Sequence, residues 1–396
     1  MVGKTAAFIA GLLVVTPAFA NTPGFGARSQ VELFVQVGTC NRNVEMDSWP
    51  GGRFLVTWLE GYAYGLVGYY NNEGVRETPF DITPAGLADV AANPDGGFVA
   101  VYESSPDANP APRGPIRAKI YRPGLPFPDY FEVEDSHGRL PVASSDGQGN
   151  AVLAWAYDSS KVLAGRFAPN GVQIGTDVDV ASFSSGEIRS VAIAAASDGN
   201  FVVFWEHYST ESTGELYYRR FDANGTALSL PVLVAANPAG TRVAGGADGK
   251  VAILYGTAGG STLSGRILDS SGVLGPVFPV WNHPAHPATQ GDIALLDDGE
   301  LAVAAEIHLD GGVGSIHLLR FKADGQPSAP LLTVAIPGAV PGRRFVRPRL
   351  VSGGNRLNVV WSLSDDGVEC RLKYQMFDAT LFADGFETGD LSAWAK

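Results

Sequence analysis

The sequence predicts an all-β fold, a seven-bladed β-propeller of four-stranded blades. Three observations predict it. A phrase made of a Gly-centred turn, an alternating apolar run and a closing aromatic recurs along the chain, as in "SDGNFVVFW" at Ser197–Trp205. Its closing residue falls at Trp58, Tyr102, Trp155, Trp205, Tyr255, Ala305 and Trp361, in steps of 44, 53, 50, 50, 50 and 56 residues. A period near 50 with four strands per unit marks propeller blades, since solenoid rungs are shorter. The composition agrees: 17% charged residues and 49 glycines in 396 favour turns and short strands over charged amphipathic helices.

The elements follow in chain order. Residues 1–20, "MVGKTAAFIAGLLVVTPAFA", carry a charged start at Lys4, an apolar run and a small-x-small site at Ala18–Ala20. That is the pattern of a secretory signal peptide, and it is too short to span a bilayer. The mature chain is expected to begin at Asn21 and to be periplasmic, cell-surface or extracellular. Residues 21–380 form the propeller. Within one unit the strands read "SVAIAAA", "FVVFW", "ELYYRRF" and "LPVLV", the last two joined by the hairpin turn "DANG". The seventh unit, with "RLVSG", "NVVW" and "RLKYQMFD", has no fourth strand after it. The missing strand stands at the other end of the chain, as "VELFVQV" at Val31–Val37. An open ring would leave unpaired strand edges, so this strand is expected to complete the last blade as its outermost member.

The chain has two cysteines, Cys40 and Cys370. In an exported protein such a pair is read as a disulfide. Aligning the seventh unit on the fourth sets Cys370 on Gly214. Setting Val37 on Val234 then puts Cys40 on Asn237, opposite Gly214. A Cys40–Cys370 bridge locking the seam is the expectation.

After the last unit comes "LFADGFETGDLSAWAK", residues 381–396. It resembles a short C-terminal motif of the form DGFE-S/T-GD-x-S-x-W, found on otherwise unrelated secreted bacterial proteins. The resemblance implies an exported product with a sorting or attachment tail, and it implies no catalytic activity. The repeats also resemble Gly-Asp-rich propeller repeats of uncharacterised secreted bacterial proteins.

Charge narrows the partners. A net charge of −13 argues against nucleic acid as a partner, since its phosphates demand a basic surface. No later stretch is apolar enough for a membrane helix. No P-loop, H-E-x-x-H, G-x-S-x-G or dinucleotide fingerprint occurs, and no cofactor or metal is expected. A monomer is expected.

Function is expected on the face that carries the strand 2–3 loops and the blade-to-blade connections, where the units stop resembling one another. Three sets of residues stand out there. Glu103, Glu206 and Glu306 each follow the closing aromatic position, and serve either acid–base chemistry or backbone capping. Arg42, Arg139 and Arg189 each precede a turn glycine by ten residues, and with Arg343, Arg344 and Arg347 suit either an acidic ligand or structural ion pairs. Propeller sialidases use three arginines, but their S-x-D-x-G-x-T-W boxes are absent here. Trp281, His283 and His286, in "WNHPAHPATQGD", form an aromatic and histidine-rich connection near His308 and Asp310. The reading is a non-catalytic propeller that binds a glycan or protein partner. The alternative is a hydrolase or lyase acting on acidic polysaccharide.

Overall fold

The computed structural model describes residues 31–378, apart from 38–43, 50, 61–63, 72, 78–80, 85–86, 104–114, 124–127, 135–136, 258–261, 284–285, 310–312, 336–343, 354–355 and 366–368. The signal peptide, the tail, Cys40, Arg42, Arg343 and Asp310 lie outside the described residues. The chain forms seven four-stranded antiparallel sheets, the blades of a seven-bladed propeller. Blade 1 comprises Glu45–Ser48, Phe54–Glu60, Tyr64–Tyr70 and Asp81–Pro84, and blade 2 comprises Leu87–Ala92, Phe98–Glu103, Ile116–Tyr121 and Asp129–Glu134. Blade 3 runs over Gly138–Ser145, Ala151–Tyr157, Lys161–Phe167 and Val178–Ser182, and blade 4 over Glu187–Ala195, Phe201–Tyr208, Gly214–Phe221 and Val232–Ala236. Blade 5 holds Pro238–Gly245, Val251–Thr257, Thr262–Leu268 and Phe278–Asn282, and blade 6 holds Ala288–Leu295, Leu301–Leu309, Val313–Phe321 and Pro327–Ala335.

Blade 7 is built from both ends of the chain. Its three inner strands are Arg344–Gly353, Arg356–Asp365 and Glu369–Asp378, and Val31–Val37 pairs antiparallel with the last of them. The predicted closure is therefore present, but its register is not the one the alignment assumed. Gln36 stands opposite Cys370, in the place Asn237 holds opposite Gly214 in blade 4. The outer strand is shifted by four residues from the alignment that set Val37 on Val234. An even shift keeps every side chain on the same face of the strand, so apolar alternation cannot tell the two registers apart. The expected partner of Cys370, Cys40, falls outside the described residues.

Packing explains the sequence phrase. The second strand of each blade has neighbours on both faces, so it reads as a continuous apolar run, as in the wholly buried Phe201–Trp205 stretch. The third strand alternates, buried and half-buried in turn, in Ile116–Tyr121. The closing aromatics Trp58, Tyr102, Trp155, Trp205 and Trp361 are among the largest fully buried side chains. Ala305 breaks the aromatic rule. Its cross-strand partner is His317, fully buried and bonded to Ser315 Oγ at 2.6 Å. Burial pushes the His317 imidazole down to about 4, so it is neutral at physiological pH. Each core cluster joins adjacent blades; Val99, Val101 and Ile116 of blade 2 pack with Leu153, Trp155 and Phe167 of blade 3. Stability is thus transmitted from blade to neighbouring blade around the ring.

The turns carry their expected chemistry. In the blade 4 hairpin Asp222 Oδ1 accepts the N–H groups of Asn224 (2.9 Å) and Thr226 (2.7 Å). Gly225 sits at φ 83°, a conformation other residues adopt only with strain.

Candidate functional site in the central channel

The innermost strand of every blade has one free edge, and these seven edges line the central channel. Free edges expose backbone N–H groups that need acceptors. Side chains of the preceding blade supply several of them. Asp47 Oδ2 accepts the N–H of Ala92 at 2.7 Å, and Asp89 Oδ2 that of Ala143 at 2.9 Å. Ser144 Oγ accepts from Ala195 at 3.0 Å, and Asp292 Oδ2 from Leu350 at 2.9 Å. These bonds tie blade 1 to 2, 2 to 3, 3 to 4 and 6 to 7.

One layer of the channel is formed by structurally equivalent residues of the seven inner strands: Glu45, Asp89, Val142, Ala192, Arg242, Asp292 and Arg349. Their partners on the second strands are Thr57, Val101, Ala154, Phe204, Leu254, Ala304 and Val360, each next to the closing aromatic position. Five of the seven are ionisable. Arg349 binds Glu45 through two nitrogens, at 2.8 and 3.0 Å. Arg242 of blade 5 reaches the same carboxylate at 3.5 Å, so an Arg–Glu–Arg brace spans the channel from blade 5 to the seam between blades 7 and 1.

Electrostatics splits these carboxyls. Burial works to raise the Glu45 carboxyl, but Arg242 and Arg349 outweigh it and hold Glu45 below the usual carboxylate range. Asp89 is pushed up to about 8, first by burial and then by the charge of Glu45, against the N–H bonds of Ala143 and Val90. Asp47 is pushed up to about 6 by burial, and burial also raises Asp292. The layer therefore holds a fixed carboxylate beside carboxyls that gain a proton easily.

From this charged layer a cavity of about 510 Å³ extends along the inner strands to the strand 1–2 turns at Pro94, Gly147, Ser197 and Ala247. Its walls are small residues, among them Ala92, Ser144, Ala195 and Gly245. The cavity thus occupies the half of the channel toward the short turns, while the sequence singled out the opposite face.

On that opposite face the predicted residues are tied into the scaffold. Glu103 Oε1 accepts the N–H of Leu140 at 2.6 Å, across the blade 2–3 boundary. Glu206 accepts the N–H of Thr241 at 3.1 Å and its hydroxyl at 2.5 Å, across the blade 4–5 boundary. Both bonds hold a bulge in the next inner strand, where Leu140 and Gly240 have positive φ. In blade 7 the residue equivalent to Thr241 is Pro348, which has no N–H to offer. Glu306 lies 3.1 Å from His308 Nε2. Arg139 bonds Glu187 at 2.9 Å and the carbonyls of Asp158 and Ile188, so it also joins blade 3 to blade 4. Arg189 bonds Glu187 at 3.2 Å and lies 4.3 Å above the Tyr208 ring. Hydrogen bonds from Arg139 and Arg189 hold the Glu187 carboxyl below its ordinary value. Glu206→Ala is expected to cost about 2–3 kcal/mol in urea unfolding, because it strands a buried N–H and a buried hydroxyl of Thr241. Glu206→Gln keeps an acceptor and is expected to lose less than half of that.

Trp281, His283 and His286 do come together. The Trp281 indole N–H donates to the His286 carbonyl at 2.7 Å, and the His283 and His286 rings stack at 4.4 Å. Among the described residues no three His, Cys, Asp or Glu side chains gather as a metal site. Asp292, from the same stretch of sequence, points instead into the channel layer.

The channel layer was missed by reading motifs, although a signal for it exists. Its members stand thirteen residues before the closing aromatic position in the first six units and twelve before it in the seventh. No protein-family model matches the sequence, and no curated protein matches it. Solved structures share the fold. The polysaccharide lyase Uly1 superposes with a TM-score of 0.53 at 12% identity, covering 94% of both chains. A protein of unknown function from Dyadobacter fermentans DSM 18053 gives 0.51 at 11% identity, covering 88% of this chain and 99% of the other. An alpha-L-arabinanase from Penicillium chrysogenum gives 0.45 at 14% identity, covering 74% and 94%. At these identities the likeness is one of propeller architecture.

Proposed function

We propose that this chain is an exported, non-catalytic binding propeller that takes a glycan or protein partner on the face of its strand 2–3 loops and blade connections. The observation that carries this reading is the structural commitment of that face's candidate carboxylates: Glu103 and Glu206 hold the next blade's backbone, and Glu306 faces His308. Acid–base catalysis needs a carboxyl free to reach substrate, and glycoside cleavage needs two of them roughly 5–9.5 Å apart. The rigid repeat with divergent loops suits recognition. The shared architecture with a polysaccharide lyase supports a glycan as the partner class.

The alternative, a hydrolase or lyase acting on acidic polysaccharide, draws support from one observation. The channel places a carboxylate held ionised, Glu45, in one layer with Asp89, whose carboxyl is pushed up to about 8. Carboxyls driven apart in this way are the pattern of acid–base pairs.

The test is a glycan array and pull-down with the chain starting at Asn21, followed by reducing-end and unsaturated-uronate assays on every glycan bound. Binding without turnover is the expected result. Turnover that Asp89→Asn abolishes replaces the binding reading with the enzymatic one.

A further inference from the structure

We infer that Trp281, His283 and His286 form a subsite for one neutral sugar ring, on the connection between blades 5 and 6. The inference rests on the glycan reading above and gives that reading a place. Trp281 is the penultimate residue of the outer strand of blade 5, half-buried against the core between blades 5 and 6. Its indole N–H is pinned by the His286 carbonyl at 2.7 Å. The His286 N–H bonds the His283 carbonyl at 3.1 Å. The His283 ring then lies 6.2 Å from the indole and 4.4 Å from the His286 ring, so three rings adjoin. His283 and the neighbouring Asn282 are exposed.

Two features make this a binding surface rather than a packed corner. The indole is anchored at one edge by a hydrogen bond and at its base by the core, so little freedom is lost when a ligand stacks on it. The Nδ1 atom of His286 is buried and has no hydrogen-bond partner. An unpaired buried polar atom is costly, and a ligand hydroxyl brought against the His286 ring would offer it a partner. A sugar ring matches this surface on both counts. One of its faces is hydrocarbon and suits an aromatic ring, while its rim offers hydroxyls to imidazole nitrogens and the Asn282 amide. No Lys or Arg belongs to the group, so a neutral ring is favoured over an acidic one.

The test uses the chain from Asn21 labelled with 5-fluorotryptophan, with the Trp281 line assigned by Trp281→Phe. It is titrated with neutral methyl glycosides of glucose, galactose, mannose and fucose. In parallel, Trp281→Ala and His283→Ala are run on the glycan array beside the wild type. The expected result is a shift of the Trp281 line with at least one glycoside, and a loss of more than tenfold in glycan affinity for Trp281→Ala, as for an aromatic anchor. Should Trp281→Ala not fold, the exposed His283→Ala and the fluorine line carry the test. If both variants bind the array as the wild type does, the subsite is overturned and the glycan reading stands. If the wild type binds no glycan and the line does not move, both fall. A line moved only by a proline-rich peptide overturns the subsite in favour of a protein partner.

Discussion

Lowering the pH from 8.5 to 5 is expected to stabilise this propeller, and Asp89→Asn is expected to remove most of that gain. The sign follows from where the proton sits. The Asp89 carboxyl is pushed up to about 8 in the folded chain by burial and by Glu45, while an unfolded aspartate titrates near 3.9. Between those values the folded chain holds a proton that the unfolded chain has released. Stability therefore falls as pH rises through this window and levels off above it. Asp47, pushed up to about 6, adds to the same slope at the acid end of the window. Glu45 acts oppositely, because its carboxyl is lowered and its contribution is lost only as the pH drops below the ordinary glutamate range. The groups facing Asp89 are Glu45, Arg242 and the N–H groups of Ala143 and Val90. Asp89 is half-buried and lines the cavity, so solvent screens it, and about 2 kcal/mol between pH 5 and 8.5 is the expected fraction of the full linkage. Asn keeps a carbonyl for the Ala143 N–H and removes the charge. Urea midpoints of the wild type and Asp89→Asn at the two pH values decide the matter. Parallel profiles would sink the assignment.

The fold could be read from the chain because a propeller repeats its physics. Each second strand is buried on both faces, so each unit must restate the run that ends at Trp58, Trp155, Trp205 or Trp361. The lack of a fourth strand after "RLKYQMFD" was equally readable, since a ring needs closing. The register of the closing strand was not, because "ELFVQV" presents the same face after a shift of four residues and only the pairing of Gln36 with Cys370 distinguishes the two. The candidate residues fared unevenly for a related reason. Glu103 and Glu206 recur at a loop, which left acid–base chemistry and backbone capping both open. They recur because the inner strands of blades 3 and 5 bulge through a positive-φ residue, Leu140 or Gly240, and leave an N–H at the blade boundary that a carboxylate meets. Conversely, Glu45, Arg242, Asp292 and Arg349 stand in unrelated local sequences, and what relates them is radial position. A ring layer shares no motif; it appears only when inner strands are superposed at a fixed offset. Trp281, His283 and His286 were readable because all three sit within six residues of chain.

Arg349→Met is expected to be the most damaging single change in the channel, costing about 3–5 kcal/mol, because it strips the Glu45 carboxylate of its two-nitrogen partner in a confined site and leaves the longer contact to Arg242 and the more distant charge of Arg347. The pair joins residues 304 positions apart, and it does so where the first blade meets the blade built from both chain ends. Between the same two inner strands the Ser48 hydroxyl donates to the Ser352 carbonyl at 2.7 Å. Loss of the brace should therefore loosen blade 1 against blade 7 before the other blade contacts open, and hydrogen exchange should quicken first in Glu45–Ser48 and Arg344–Gly353. The physical claim is about an uncompensated charge rather than lost volume, and the partner substitution separates the two. Glu45→Gln removes the charge that Arg349 neutralises, so the double variant Glu45→Gln/Arg349→Met should recover at least half of the single variant's loss. Acid should also rescue Arg349→Met partially, since without Arg349 the Glu45 carboxyl rises and accepts a proton at higher pH. If the two substitutions add their losses in urea unfolding and acid gives no recovery, the brace acts through packing of the arginine stem alone.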